Sequence, residues 1–296
     1  MAVTTSPKSK SKSKSKSFPA WAFLSLATNG LLFVTVALLL VKTDRALPPS
    51  QVKVIPISTP KTDAEEAASL ATSLIANLQP RQQLTYEQWV DLLDKEAAAI
   101  VKNNPNRLTV LAGDSLSLWF PAELLPADRT WLNQSISGET SAGLLKRLDL
   151  FEKAEPQAIF VMIGINDLLK GGSDKELLDY YQRIIKTLKK NHPKSKIIVQ
   201  SILPHANRST VENPDRLSNV SNQRIYNLNR KIAAIVKESK LHYLDLQPLF
   251  TNNEGYLRSE LTTDGLHLSS QGYLVWRSAI QTFSQLVLES ELLAKP

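Results

Sequence analysis

Beyond Arg107 the chain alternates short apolar runs with longer amphipathic ones, and this alternation restricts it to few architectures. Residues 108–112, 130–132, 158–163, 196–202 and 242–246 have the length and near-continuous apolar character of strands buried on both faces. Segments near 141–152, 174–191, 221–238 and 270–289 carry apolar residues at helical spacing. Ser173 with Glu176 forms a capping box at the start of the second of these. Strand–helix alternation of this kind predicts an α/β domain, a parallel sheet with helices on both faces. In such sheets ligands bind outside the carboxyl ends of the strands.

Four short strings, each near the end of an expected strand or the start of an expected helix, stand in one order: Gly113-Asp114-Ser115-Leu116, then Gly138, then Gly164-Ile165-Asn166-Asp167, then Asp264-Gly265-Leu266-His267. Ser115 directly follows the first strand, on a turn that Gly113 is expected to sharpen. A hydroxyl placed there is within reach of a base. Asp and Ser are also good helix N-caps, so this string alone reads more readily as turn chemistry. Asp264 stands three residues before His267. A carboxylate there can hold the imidazole Nδ1–H and leave Nε2 to accept a serine proton, although the pair alone can equally be a capped turn. Asn166 at a strand end is either a turn residue or a donor to developing negative charge. Asp114 and Asp167 read as structural carboxylates.

Taken together the four strings resemble the sequence blocks of the GDSL, or SGNH, hydrolase family, named for its Ser, Gly, Asn and His. The resemblance covers roughly residues 107–290 with no block missing. It implies a flavodoxin-like three-layer α/β/α fold with a central parallel sheet over 105–296. It also implies Ser115, Asp264 and His267 as catalytic residues. The implied oxyanion hole is built from the Ser115 N–H, the Gly138 N–H and the Asn166 amide, with no cofactor and no metal. The implied reaction is hydrolysis of a carboxylic ester, acyl or acetyl, through an acyl-enzyme. The substrate would be a small ester, a lipid or an acylated saccharide. An O-acyltransferase acting on a cell-envelope saccharide would use the same intermediate with a sugar hydroxyl in place of water. A non-catalytic binding protein on this fold would be expected to have lost Ser115, Asp264 or His267, and all three are present. The chain has no Gly-x-Ser-x-Gly elbow, which disfavours an ordinary α/β-hydrolase. Nor has it a His-Glu-x-x-His pair for zinc.

Three other histidines and two segments near the strings invite a role. His192 sits at a helix end, where a basic residue suits the helix dipole. His242 opens an apolar strand and reads as structural. His205 lies in a loop that can line the site, without an acidic neighbour. Trp119, Phe120, Pro121, Leu124 and Leu125 can wall an apolar pocket, though such clusters are more often core. Residues 204–219 form a long polar loop at the site end of the sheet, in which Arg208 and Arg216 can meet an anionic substrate or remain solvated.

The N-terminal third is organised differently. Residues 1–45 hold +6 of the net +7, so the folded part carries no basic stripe for nucleic acid. Residues 1–17, with their run of alternating Lys and Ser, are expected to be a disordered tail. The uncharged stretch 18–41 would span ~36 Å as a helix, enough for a hydrocarbon core of ~30 Å. Lysines before it predict a single-pass anchor with the N-terminus cytoplasmic and the catalytic domain outside. A cleaved signal peptide is the alternative, disfavoured by the length of the stretch and the lack of a small-residue cleavage site. Residues 42–62, with Pro48, Pro49, Pro56 and Pro60, read as a semi-rigid linker. Residues 63–104 carry two helical patterns, each opened by a capping box, Thr62 with Glu65 and Thr85 with Gln88, and read as a helical extension. The chain has no cysteine, which removes disulfides, zinc-thiolate sites and a thiol nucleophile.

Overall fold

The computed structural model describes residues 84–217 and 220–289. All of them belong to one unit, residues 78–296. Helix α1 (Tyr86–Asn103) opens the described region with the capping box expected at Thr85 and Gln88. Next come β1 (Leu108–Gly113), α2 (Ser115–Leu118), β2 (Thr130–Ser135), α3 (Ser141–Lys146), β3 (Ala158–Met162), α4 (Ile165–Leu169) and α5 (Asp174–Asn191). The chain continues through β4 (Lys196–Gln200), α6 (Asn222–Glu238), β5 (His242–Leu244), α7 (Gln247–Phe250) and α8 (Ser270–Phe283). The proposed membrane stretch, the linker and the first helix of the extension lie outside the described residues. Among those described, no helix is long and apolar enough to cross a membrane.

The five strands are all parallel, in the order β2-β1-β3-β4-β5. This is the flavodoxin-like order, whose direction of winding reverses between β1 and β3. Alternation along each strand divides the core into two layers. Val110, Ala112, Ile159, Val161, Ile197 and Val199 face the helices on one side, where Leu144 of α3, Tyr181 and Ile184 of α5 and Leu228 and Ile232 of α6 close the layer. Leu111, Phe160, Met162 and Ile198 face the other side and meet Phe120 and, from α8, Tyr273, Trp276 and Ile280. Helix α1 packs at the β2 edge, with Trp89 and Leu93 against Ile136.

Several boundaries differ from the sequence expectation. Strand β2 runs on to Ser135, because Asn133 and Gln134 are tied down through distant carbonyls rather than by apolar burial. Asn133 Nδ2 donates to Ser117 O at 2.8 Å and Gln134 Nε2 to Leu93 O at 3.0 Å. The helix expected over 141–152 stops at Lys146 and resumes as a 3-10 turn, Leu148–Phe151. Arg147 makes the break, at φ −120°, with its guanidinium turned inward. The helix expected over 270–289 becomes a π-helical turn after Phe283. Strands β4 and β5 end earlier than their apolar runs, at Gln200 and Leu244.

His192 also differs. It caps α5, but burial lowers its pKa, and its ring stacks on Phe151 at 5.2 Å. A buried neutral imidazole packs rather than opposing the helix dipole with charge. His242 meets Phe283 edge to face, a packing role.

Candidate active site

The carboxyl ends of β1 and β3 carry the first and third strings, so the reversal of strand order brings Ser115 and Asn166 to the same edge of the sheet. Gly113 is required there for close approach, not for turn freedom. Its φ is not positive, but a Cβ would lie 2.2 Å from Met162 O on the paired strand and 2.7 Å from Ser117 Oγ. Asp114 caps α2, its Oδ1 accepting from the Leu116 N–H at 3.0 Å. Ser115 is therefore the first residue of a capped turn. Tyr273 Oη from α8 donates to Leu116 O at 3.0 Å and fixes that turn from the far layer.

Ser115 Oγ lies 3.0 Å from His267 Nε2, across 152 residues of sequence. His267 Nδ1 lies 2.7 Å from Asp264 Oδ2. Asp264 Oδ1 accepts the N–H groups of Leu266 and His267, at 3.0 and 2.7 Å. Burial pushes this carboxyl up, but the backbone N–H and ring of His267 and the Leu266 N–H outweigh it and hold it at about 2. The carboxylate is thus ionised at any working pH and fixes the proton of the imidazole on Nδ1. Nε2 is left as acceptor for the serine hydroxyl, a geometry suited to proton transfer from Ser115.

Gly138 and Asn166 are held close together by hydrogen bonds from α4 and the residue that follows it. Gly138 has φ +75°, in the left-handed region that favours glycine. Lys170 Nζ donates to its carbonyl at 2.9 Å, and Asn166 Nδ2 donates to the next carbonyl, Glu139 O, at 3.0 Å. An amide has two N–H donors, so one remains for an incoming group. Asp167 accepts from the N–H and the hydroxyl of Ser141, at 2.9 Å for the N–H, and so ties α4 to the start of α3. Its carboxyl is raised by burial.

Three sets of contacts go beyond the sequence reading, which named Trp119 only as a pocket wall and Arg216 only as a cation for substrate or solvent. Arg216, from the long loop, donates through Nη1 to Asp264 Oδ2 at 3.0 Å, the same oxygen that receives His267. Trp119 lies with its ring centroid 4.2 Å from that of His267, tilted by 35°. Its neighbour Phe120 is buried on Tyr273 and Trp276, so the aromatic cluster after the nucleophile divides between site and core. Beneath the Gly138 turn, Arg147 and Glu139 form a buried ion pair at 2.8 Å. Arg147 also donates to Gln134 O at 2.7 Å and Gly113 O at 3.2 Å, while Tyr86 of α1 reaches Glu139 Oε2 at 3.4 Å. The only sequence signal for these was residue type, because each contact joins positions far apart in the chain or on different elements.

His205 does not face the serine. Its ring nitrogens meet the carbonyls of Ala206 and Val220 at 2.7 and 3.0 Å. It lines a cavity of about 1050 Å³ together with Asn207, Tyr226, Asp245 and Tyr256. None of Ser115, Trp119, Asp264 or His267 lines that cavity, so the hydrogen-bonded serine, rather than this hollow, marks the chemistry. Arg208 pairs with Asp215 at 3.9 Å. Among the described residues no group of three or more His, Cys, Asp or Glu side chains is placed to hold a metal.

A model of the GDSL-like Lipase/Acylhydrolase family matches residues 108–275. The chain is 28% identical over 196 residues to an N-acylneuraminate cytidylyltransferase of Streptococcus agalactiae serotype V, covering 64% of this chain and 43% of that one. It therefore spans less than half the length of that relative. It is 26% identical over 197 residues to human Platelet-activating factor acetylhydrolase IB subunit alpha1, covering 63% of this chain and 78% of the relative. Among solved structures it is similar to a protein from Streptococcus pneumonia assigned provisionally as a platelet activating factor. The TM-score is 0.60 at 25% identity, over 73% of this chain and 98% of that one. A GDSL-like lipase from Bacteroides thetaiotaomicron shares the fold, with TM-score 0.56 at 21% identity, over 66% of this chain and 97% of that one.

Proposed function

This chain belongs to the GDSL-like lipase/acylhydrolase family, and from that membership we propose that it is a serine esterase that cleaves short acyl esters, acetyl esters foremost. The observation that carries the reading is the continuous path from Ser115 Oγ to His267 Nε2 at 3.0 Å and from His267 Nδ1 to Asp264 Oδ2 at 2.7 Å. Ser115 attacks the ester carbonyl as His267 Nε2 takes its proton. Asp264 holds the resulting imidazolium in place. The negative oxygen of the tetrahedral intermediate is received by the N–H groups of Ser115 and Gly138 and the free N–H of the Asn166 amide. His267 then returns the proton to the leaving alkoxide, and the alcohol departs. Water, deprotonated by His267, hydrolyses the acyl-enzyme and restores Ser115.

The preference for acetyl esters follows the name of the acetylhydrolase relative, of which this chain covers 78%. The cytidylyl transfer named for the streptococcal relative is not carried over, because the match leaves more than half of that protein uncovered. The basic tail and uncharged stretch of residues 1–41 support placing the esterase outside the cytoplasm on an N-terminal anchor.

A fluorophosphonate probe followed by peptide mapping tests the nucleophile. Labelling at Ser115, abolished in Ser115→Ala, is expected; labelling at another serine with Ser115 silent overturns the assignment. Turnover of p-nitrophenyl esters from acetyl to palmitoyl is expected to fall with chain length. Faster release in the presence of a saccharide, with the acyl group recovered on the sugar, would instead identify an acyltransferase.

A further inference from the structure

Trp119 is 41% exposed, whereas Phe120 beside it is 4% exposed. A large indole held at the surface does not contribute to the core, yet its position is fixed. The backbone N–H of Trp119 donates to Ser115 O at 3.0 Å, which places the residue one helical turn from the nucleophile. Its ring lies against the imidazole of His267, which is itself 6% exposed. The charged and titratable groups on that imidazole are Asp264 at Nδ1, Arg216 on the same carboxylate oxygen and the Ser115 hydroxyl at Nε2. Arg216 draws on the negative charge that Asp264 offers to a protonated ring. A second source of stabilisation for that ring is the negative π face of an indole, the strongest of the aromatic cation acceptors.

We propose that Trp119 is a positioning residue that stabilises the protonated His267 through its indole face and keeps the imidazole aimed at Ser115. The role rests on His267 acting as the base of the proposed esterase. When the Ser115 proton moves to Nε2, the positive charge appears in a ring that Asp264 meets at its edge and Trp119 meets on its face. The indole gains more from the imidazolium than from the neutral imidazole, and this difference lowers the barrier to proton transfer.

The test compares Trp119→Phe and Trp119→Leu with the unmodified protein. Leucine keeps an apolar cover and removes the π face; phenylalanine keeps a weaker one. The Leu variant is expected to lower the acid-limb midpoint of kcat/KM by about half a pH unit and kcat/KM itself by about three- to tenfold, with Phe between. The His267 ring, followed by NMR in the Ser115→Ala protein, should show the same fall of midpoint without any turnover. Protonation of His267 should also quench part of the tryptophan emission, a component absent from Trp119→Phe and from His267→Gln. An unchanged NMR midpoint in Trp119→Leu, or a quenching component that persists in Trp119→Phe, overturns the proposal. Full esterase activity in Ser115→Ala would instead overturn the catalytic reading, while the NMR and emission measurements would still decide the contact.

Discussion

Arg147 Nε donates to Glu139 Oε2 at 2.8 Å inside the protein, with the two side chains only 2% and 4% exposed. The pair lies under the Gly138 turn, and Arg147 spans from that turn to the carbonyl of Gly113 before the nucleophile. The scaffold of the serine turn and that of the oxyanion flank are therefore one hydrogen-bonded unit. Burial lowers the pKa of Arg147, and the hydrogen bond and charge of Glu139 oppose that shift, so the guanidinium stays charged.

Removing one partner strands the other without solvent. Arg147→Met should cost about 3–5 kcal/mol of stability, read as a lowered urea midpoint. A double change, Arg147→Met with Glu139→Leu, should recover part of this loss, because no charge is then left unpaired. It should not recover all of it, since the carbonyls of Gln134 and Gly113 still lose their donor. A single Arg147→Met variant as stable as the parent would show that the pair contributes nothing.

Asp114 gives the protein a stability that falls with rising pH. Burial pushes its carboxyl up to about 7, opposed by the Leu116 N–H and reinforced by the charges of Asp167 and Glu139. Its Oδ2 has no hydrogen-bond partner among the described residues. The folded pKa lies above the unfolded value near 3.9, so between about pH 4 and 7 the folded state holds a proton that the unfolded state has lost. Stability attributable to this group is full below pH 4 and is lost as pH rises through 7. Asp114→Asn keeps an oxygen for Leu116 and removes the titration. Between pH 5 and 7 the parent should lose about 2 kcal/mol more than the variant in urea unfolding. Parallel pH curves for the two proteins would contradict this.

Legibility in the sequence followed the range of the forces involved. Helix α5 falls at 174–191 as read, because a capping box and an unbroken apolar stripe are both local. The parallel sheet was readable from alternation alone. Strand β2 was under-read by three residues, since Asn133 and Gln134 are ordered by Ser117 O and Leu93 O, the latter 41 residues away. The four strings were visible as strings, but the 3.0 Å approach of Ser115 to His267 is a property of the fold. Trp119 and Arg216 were legible as site candidates, but their contacts with His267 and Asp264, and the Arg147–Glu139 pair, were not, because residue type alone does not name a partner. Gly113 was identified as necessary for a different reason from the one the packing shows, which is the close approach of Met162 O.

The export proposal separates from the chemistry. Every residue assigned to the triad or the oxyanion hole lies beyond Arg107, so a protein lacking residues 1–45 should retain esterase activity while leaving the membrane fraction. A reporter fused after Pro296 in the full chain should be active only outside the cytoplasm. Full-length protein released by high salt would contradict a spanning helix. Mature protein starting near residue 46 would mean a cleaved signal, leaving export intact but removing the anchor.

Asn166 and Gly138 are proposed for the same task, yet their substitutions should behave differently. Asn166 supplies a side-chain donor, and alanine removes it entirely. That change should lower kcat by ~10²–10³, or ~2.7–4 kcal/mol of transition-state stabilisation, with the fold intact by circular dichroism. Gly138 supplies only its backbone N–H, which alanine keeps. A Cβ there would meet no atom within 4 Å, so the cost of Gly138→Ala is confined to holding φ at +75°. Left-handed backbone costs a non-glycine residue about 1–2 kcal/mol, which should appear as lost stability with kcat changed only a few-fold. Gly138→Asn should be milder still, because asparagine visits that region more readily. If Asn166→Ala keeps full kcat while Gly138→Ala loses it in folded protein, the oxyanion would be held by the backbone turn alone, and the amide would serve only to pin Glu139 O.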